Sequence, residues 1–523
     1  MEAGTAISLL QDDILWRIFT YIGHDRTHRS DTDTKRHPLT IIRNVTHVSR
    51  AWRNLLIGST SIWAGMIDMN VMGTFSEHWR TEIMRRTGES PLRVYGRVVG
   101  HHKPTREFFV SIMVHLWPRV QELDVDILNS NIFDEGTWDA FWDIPPKQLS
   151  CFRVSFTDIS GSLPYSDHKS ILFADCAPAL QIFQSYQLGF KPQATWISQL
   201  RSLTISSPLD VVFVLDILSQ TTHLEEVSLM GDLLSVDQYT FSLKEVRLRL
   251  QKLDIQNTFQ TCATYLHHII LTHSRQCELN IRAINGFRFP IEVEDINLFI
   301  PTFIDYAQRL LSSKAVHHLR LGTGSNYFIF HVECMDDFNV KLQSEVKVLY
   351  GNSFPPIIHS LLLNSVSTCD LSKVKTFKLS MVSSALSRDI DYDGVNFHAL
   401  VYALCSVDTL FASEWAIKLL NDSALNIKHV FPMMKTLKFE HYSSLLSRTF
   451  PETIVSFFSR RQGAGIPVSV FDISDHASIF HYNWGFLDQI PGLKVIWDVD
   501  GVYHEYVCGS GSPERLVECG NRR

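Results

Sequence analysis

No apolar run in this chain approaches the ~18 residues that a membrane-spanning helix needs, so none is expected. Nor is there an excess of positive charge. Lys and Arg total 48 against 55 Asp and Glu, a formal charge of −7, which argues against nucleic-acid binding as the main role. The nine cysteines stand apart at 151, 176, 262, 277, 334, 369, 405, 508 and 519. None forms a CxxC pair or a Cys–His cluster with zinc spacing, so buried, reduced thiols are expected. The opening MEAGTAISLLQDD has no basic region and meets two aspartates early, unlike a signal peptide. The final CGNRR fits no lipidation or sorting motif. A cytoplasmic or nuclear location is expected. There the formal glycosylation sequons at Asn44 and Asn421 have no role.

Catalytic signatures are also missing. The sequence has no GxxxxGK[ST] or GxGxxG loop for phosphates, no HExxH and no GxSxG. Three adjacent histidine pairs occur, His101–His102, His267–His268 and His317–His318. Neighbouring side chains diverge on a helix or a strand, so no pair is expected to hold a metal. Asp31 and Asp33 begin like a calcium loop, but Arg36 stands where the turn needs glycine and Ile42 where it needs a bidentate Glu. Asp389, Asp391 and Asp393 precede Gly394 and read as a solvated loop. Trp79, Trp117, Trp138, Trp142 and Trp196 read as core. No enzyme activity, cofactor or metal is expected.

What is present is apolar and patterned. Residues 9–22, LLQDDILWRIFTYI, read as an amphipathic helix. Ser8 and Gln11 have capping-box spacing, Asp12 and Asp13 suit the first turn, and Gly23 suits the C-cap. Leu10, Ile14, Ile18 and Ile22 recur every four residues, with Leu15 and Phe19 beside them. Such a helix must bury a face against the rest of the chain or against another protein. A polar stretch follows, and Pro38 can open a helix. Ile41, Val45, Val48, Trp52 and Leu55 then give a second amphipathic pattern. Gly58 breaks it, and Trp63 lies beyond on a short tail.

Residues 9–64 resemble an F-box. The family pattern, L-P-x-E-[IL]-[IL]-x-x-I-[FL] then V-[CS]-[RK]-x-W-[RK]-x-[LI] then a tryptophan, is matched by Leu10, Asp13, Ile14, Leu15, Ile18 and Phe19, by Val48, Ser49, Arg50, Trp52, Arg53 and Leu55, and by Trp63. Gln11 replaces the usual proline, and the loop at 24–37 is longer than most. The resemblance implies three helices over 1–70. It also implies an adaptor-binding surface built from Leu10, Ile14, Leu15, Ile18, Phe19, Val48, Trp52, Leu55 and Trp63.

Beyond residue 70 a motif of the form apolar-x-x-apolar-x-apolar keeps returning. It occurs at Val120-Leu123-Val125, Leu149-Phe152-Val154, Ala177-Leu180-Ile182, Leu200-Leu203-Ile205, Leu224-Val227-Leu229 and Leu243-Val246-Leu248. It recurs at Val316-Leu319-Leu321, Val374-Phe377-Leu379, Met434-Leu437-Phe439 and Ile490-Leu493-Val495. The early spacings resemble those of leucine-rich repeats, although Pro208 and Asp232 occupy two positions where the repeat expects Asn or Cys. RRTGESPLRV (85–94) and RRQGAGIPVSV (460–470) each place a glycine to stop a helix and a proline before a strand. The expectation is an α/β protein, with a three-helix F-box at 1–70 and an irregular leucine-rich-repeat-like solenoid at 71–523. An ordinary α/β domain whose strands read this way is the alternative.

The resemblance, typical of fungal F-box proteins, implies a substrate receptor of an SCF-type ubiquitin ligase. It would bind the adaptor, and through it cullin, while the repeats hold an unknown protein substrate. Neither nucleic acid nor membrane is an expected partner. The other reading is a non-catalytic interaction scaffold that engages no ligase. Leftover apolar surface on the first helices separates the two.

Overall fold

The computed structural model describes residues 11–24, 37–129, 132–133, 137–157, 171–186, 188, 190–206, 210–231, 244–272, 277–285, 293–313, 316–324, 327–335, 341–350, 356–381, 395–421, 425–440, 447–474, 483–499 and 501–518. The protein is mixed α/β with parallel strand pairing, and it divides into two compact units, Met1–Asp232 and Leu233–Arg523. Ser8, Leu10, Asp31, Asp33, Arg36, Leu243, Asp389, Asp391 and Asp393 lie outside the described residues. Among the described residues no helix is long and apolar enough to cross a membrane.

The first unit opens with helices α1 (Asp12–His24), α2 (Pro38–Val45), α3 (Arg50–Gly58) and α4 (Thr60–Ala64). It continues through β1 (Ile67–Asp68), α5 (Met69–Met72), α6 (Glu77–Arg86), β2 (Leu92–Val99), α7 (Lys103–His115), β3 (Val120–Leu128), α8 (Asp139–Asp143), β4 (Cys151–Phe156), β5 (Ile182–Tyr186), β6 (Ser202–Ser206), α9 (Val211–Gln220) and β7 (Glu226–Met230). Strands β1 to β7 pair in chain order, each parallel to the next. The inward row of the ladder runs Ile67, Val94, Leu123, Phe152, Phe183, Leu203, Val227. All seven are buried. Burial of side chains this size is worth about 1.5–3 kcal/mol each. Phe152 and Phe183 also stack, with centroids 5.5 Å apart at 10°, and Trp196 closes on Phe183 at 4.9 Å.

The second unit holds β8 (Val246–Leu248), β9 (Lys252–Asn257), α10 (Phe259–His268), β10 (Ile269–Leu271), β11 (Glu278–Asn285), α11 (Val293–Ser313), β12 (Val316–Gly324), β13 (Tyr327–Met335), β14 (Lys341–Tyr350) and α12 (Pro356–Ser367). There follow β15 (Thr376–Met381), α13 (Val395–Ala403), β16 (Thr409–Ala412), α14 (Glu414–Leu420), β17 (Thr436–Phe439), α15 (Phe450–Gly463), β18 (Val470–Asp472), β19 (Lys494–Val499), β20 (Val502–Val507) and α16 (Glu514–Glu518). β8 and β10 form a separate parallel pair. The main ladder reads β9-β11-β14-β13-β12-β15-β16-β17-β18-β19-β20. It is parallel except around β13 and at the terminal β19–β20 hairpin. Its inward row from β12 onward is Leu319, Phe377, Leu410, Leu437, Phe471, Val495, all buried.

Most of the repeated motifs land on these strands with their last two apolar residues inward. Two are out of register. In β5 the inward pair is Phe183 and Ser185, three residues past the expected Leu180 and Ile182. In β19 it is Val495 and Trp497, two past Leu493 and Val495. A further instance, Leu250-Leu253-Ile255, forms β9.

The two glycine–proline stretches both end a helix and begin a strand, α6 to β2 and α15 to β18. The left-handed turn falls on Gly88 (φ +50°) in the first but on Gly465 (φ +81°), not Gly463, in the second. Gly23 is not a C-cap. It lies within α1, buried against α4, where a Cβ would make ordinary contact with Ile62 Cγ2 at 3.4 Å.

Candidate partner-binding face on the N-terminal helices

Helix α1 begins where Gln11 offers its carbonyl to the N–H groups of Ile14 and Leu15, each at 3.1 Å. Asp12 and Asp13 occupy its first turn and complement the helix dipole. Helix α2 starts at Pro38. His37 caps it, Nδ1 accepting the Leu39 N–H at 3.2 Å. The apolar spacing expected to run unbroken from Ile41 to Leu55 is divided at residues 46–49. Thr46 Oγ1 donates to the Arg43 carbonyl at 2.6 Å, and Ser49 Oγ accepts the Trp52 N–H at 3.1 Å as the N-cap of α3. These local side-chain bonds outcompete helix continuation.

α1 packs on α2, α3 and α4. Leu15, Phe19 and Gly23, four residues apart, form its buried line. Phe19 meets the half-buried Trp52 edge to face, with centroids 5.5 Å apart. Trp63 does not sit on a loose tail. It belongs to α4, is fully buried, and donates from Nε1 to the Leu56 carbonyl at 2.8 Å. Arg86 of α6 covers the Trp63 ring at 4.5 Å and Trp79 at 5.4 Å, while Arg43 of α2 lies 5.8 Å from Trp79. Glu82 holds Arg86 at 2.8 Å and Arg85 at 2.7 Å, and these two guanidinium hydrogen bonds pull its carboxyl down to about 2.

The nine residues expected at the adaptor surface therefore separate. Leu15, Phe19 and Trp63 are core, Trp52 and Leu55 are half-buried, and Leu10 is outside the described residues. Ile14, Ile18 and Val48 face solvent, at 41%, 42% and 63% exposure. The isoleucine stripe is thus the outward face of α1, and the Leu15–Phe19 line is the inward one. Tyr21, 79% exposed, extends Ile14 and Ile18 at i, i+4, i+7 spacing, and Trp16 and Ile57 are exposed as well. The every-fourth-residue apolar pattern does not include these last three, although Tyr21 lies one turn beyond Ile18. Two-sided apolar character on a surface helix marks a second packing partner.

No family model matches the chain, and no curated protein matches it. Among the described residues no cluster of His, Cys, Asp or Glu is arranged to hold a metal ion. His101 and His102 diverge to Asn129 and Thr105, as expected. His267 and His268 do not diverge. Their rings meet edge to face, with centroids 4.9 Å apart. The tryptophans Trp117, Trp138 and Trp196 are core, and Trp79 and Trp142 are half-buried.

Proposed function

We propose that this chain is the substrate receptor of an SCF-type ubiquitin ligase, its N-terminal helices acting as an F-box and its strand ladders as irregular leucine-rich repeats. The observation that carries the reading is the outward stripe Ile14, Ile18, Tyr21 on a helix whose other face is already satisfied by Leu15 and Phe19. That stripe is apolar surface left for another protein. The order of motif residues from Asp13 to Trp63 supports the same reading. The recurrence of inward LxxLxL-type rows supports the repeats. The receptor performs no chemistry itself. It works by proximity, raising the effective concentration of substrate lysines near a bound conjugating enzyme.

The test is co-purification of the chain with the SCF adaptor, with Ile18→Asp as the variant. Ile18 is exposed, so Ile18→Asp is expected to keep the melting temperature while losing adaptor binding. A well-folded wild-type chain that ignores the adaptor would overturn the reading and leave an interaction scaffold.

A further inference from the structure

The face of the second ladder opposite its inward row carries a register row of charged and aromatic side chains. From β12 through β15, β16 and β17 to β18 it reads Arg320, Lys378, Phe411, Lys438, Asp472. Lys438 and Lys378 lie 5.2 and 6.0 Å from the centre of the Phe411 ring. Each lysine already has a carboxylate. Lys378 bonds Glu440, and Lys438 meets Asp472 at 3.2 Å. On the other side of β12, His331 faces Arg320 across the β12–β13 pair and holds Glu333 at 3.2 Å. The carboxylates around Arg320 are therefore engaged elsewhere.

Among the described residues three arginines, Arg119, Arg320 and Arg461, have an Nε shielded from solvent and lacking an acceptor. In two of them the rest of the guanidinium is satisfied. Arg119 donates to Thr87 Oγ1 and the Ser90 carbonyl, and Arg461 to the carbonyls of Val430 and Phe431. Of the three, only Arg320 finds no acceptor among the described residues for any of its nitrogens. It is half-buried. A Cβ on Gly322 would stand 3.6 Å from Tyr327 Cε2, so the Tyr327 ring lies across that glycine, on the same face as Arg320. Burial pushes the Tyr327 hydroxyl up, and the Arg320 charge pulls it part of the way back. A shielded donor without an acceptor is costly, and an arriving anion removes that cost. We propose that Arg320 receives a carboxylate from an acidic segment of a bound protein, its planar fork taking both oxygens. One unpaired positive charge matches one carboxylate. A phosphate, at about −1.5 to −2, asks for a second cation, and Glu440 and Asp472 have already taken the two lysines. The proposal names the chemistry of the protein that the ladders would hold, and it rests on reading them as a protein-binding surface.

The experiment is isothermal titration of the full chain, at low salt, with the amidated peptide Gly-Glu-Gly-Glu-Gly-Glu, its glutamine counterpart and its phosphoserine counterpart. The wild type is expected to bind the glutamate peptide and not the glutamine one. Arg320→Gln should weaken that binding about tenfold, the worth of a charge-assisted pair. Arg320→Lys keeps the charge without the fork and should fall between the two. Arg282→Gln removes the same charge from an exposed position of β11 and should bind as the wild type does. Circular dichroism melts that match the wild type show that Arg320→Gln reports binding rather than unfolding. Ile18→Asp should bind the peptide normally, so a failure of the ligase reading and a failure of this one are told apart. No binding by the wild type, equal binding by Arg320→Gln, an equal loss in Arg282→Gln, or tighter binding of the phosphoserine peptide would each overturn the proposal.

Discussion

His37 and Asp68 face each other in the interior of the first unit, imidazole Nε2 3.0 Å from carboxylate Oδ2. His37 Nδ1 already accepts the Leu39 N–H, which leaves Nε2 as the ring's donor toward Asp68. The other carboxylate oxygen accepts the Asn70 N–H at 2.9 Å, and Asn70 Oδ1 accepts the Arg97 N–H at 3.1 Å. One chain of hydrogen bonds therefore ties the start of α2 to β1, α5 and β2. Gly96, at φ +101°, completes the joint. A Cβ there would stand 2.5 Å from Asp68 Oδ1.

His37→Ala strands a buried carboxylate and is expected to cost about 3 kcal/mol. Asp68→Asn should cost less, about 1 kcal/mol, because no charge is left without its donor. Urea denaturation followed by tryptophan fluorescence measures both. Equal losses would show that shape rather than charge pairing decides the joint.

Burial pushes the thiols of Cys262, Cys277 and Cys508 up to about 12 and that of Cys369 to about 11, from an ordinary 9.0. Cys176 and Cys405 are exposed. In the native protein an alkylating reagent should therefore modify Cys176 and Cys405 quickly, while those four buried thiols react only after denaturation. Peptide mass spectrometry after a timed quench reads this directly. The same shifts fix a pH dependence. The unfolded thiols ionise at the lower pH, so their contribution to stability is complete below 9.0 and is lost as pH rises toward about 12. Melting temperatures that stay flat across that alkaline window would contradict the burial of these cysteines.

Arg461 is fully buried. Nη1 donates to the Val430 carbonyl at 2.7 Å and Nη2 to the Phe431 carbonyl at 3.0 Å, and desolvation draws the guanidinium down to about 10. Phe431 itself has φ +44°, a left-handed conformation unusual for an aromatic residue. The fork holds that turn in place. Arg461→Lys keeps the charge but cannot span both carbonyls, and a loss of about 2 kcal/mol is expected in chemical denaturation. A lysine variant as stable as the wild type would show that Phe431 needs no such clamp.

Much of the ladder is legible in the sequence, because Leu123, Leu203, Phe377 and Leu437 stand in motifs whose spacing matches one face of a short strand. The register slips have a plain cause. IFQSY in β5 offers Ile182 or Phe183 as the inward residue with equal ease, and only the neighbouring rings of Phe152 and Trp196 decide for Phe183. The β9 motif is hard to separate in the sequence because Leu250 follows Leu248 at strand spacing, so the motif at 250–255 begins almost where the one at 243–248 ends. On α1, periodicity shows that Ile14, Leu15, Ile18 and Phe19 are apolar but not which pair meets its own chain. The packing of Phe19 on Trp52, far apart in sequence, settles that.

The strands β12, β13 and β14 form a meander that interrupts the order of the second ladder. After β11 the chain moves ahead to lay β12, doubles back through β13, and sets β14 beside β11 before β15 joins β12. In synthesis, β11 emerges with β9 as its available neighbour and waits until β14 has followed. The two hairpins of the meander can close quickly on their own, but the join to β11 must enclose the whole of α11 and carries the larger loop-closure cost. Folding of the second unit is thereby made to wait on one late seam, and a nascent chain that ends before Lys341 leaves that seam open.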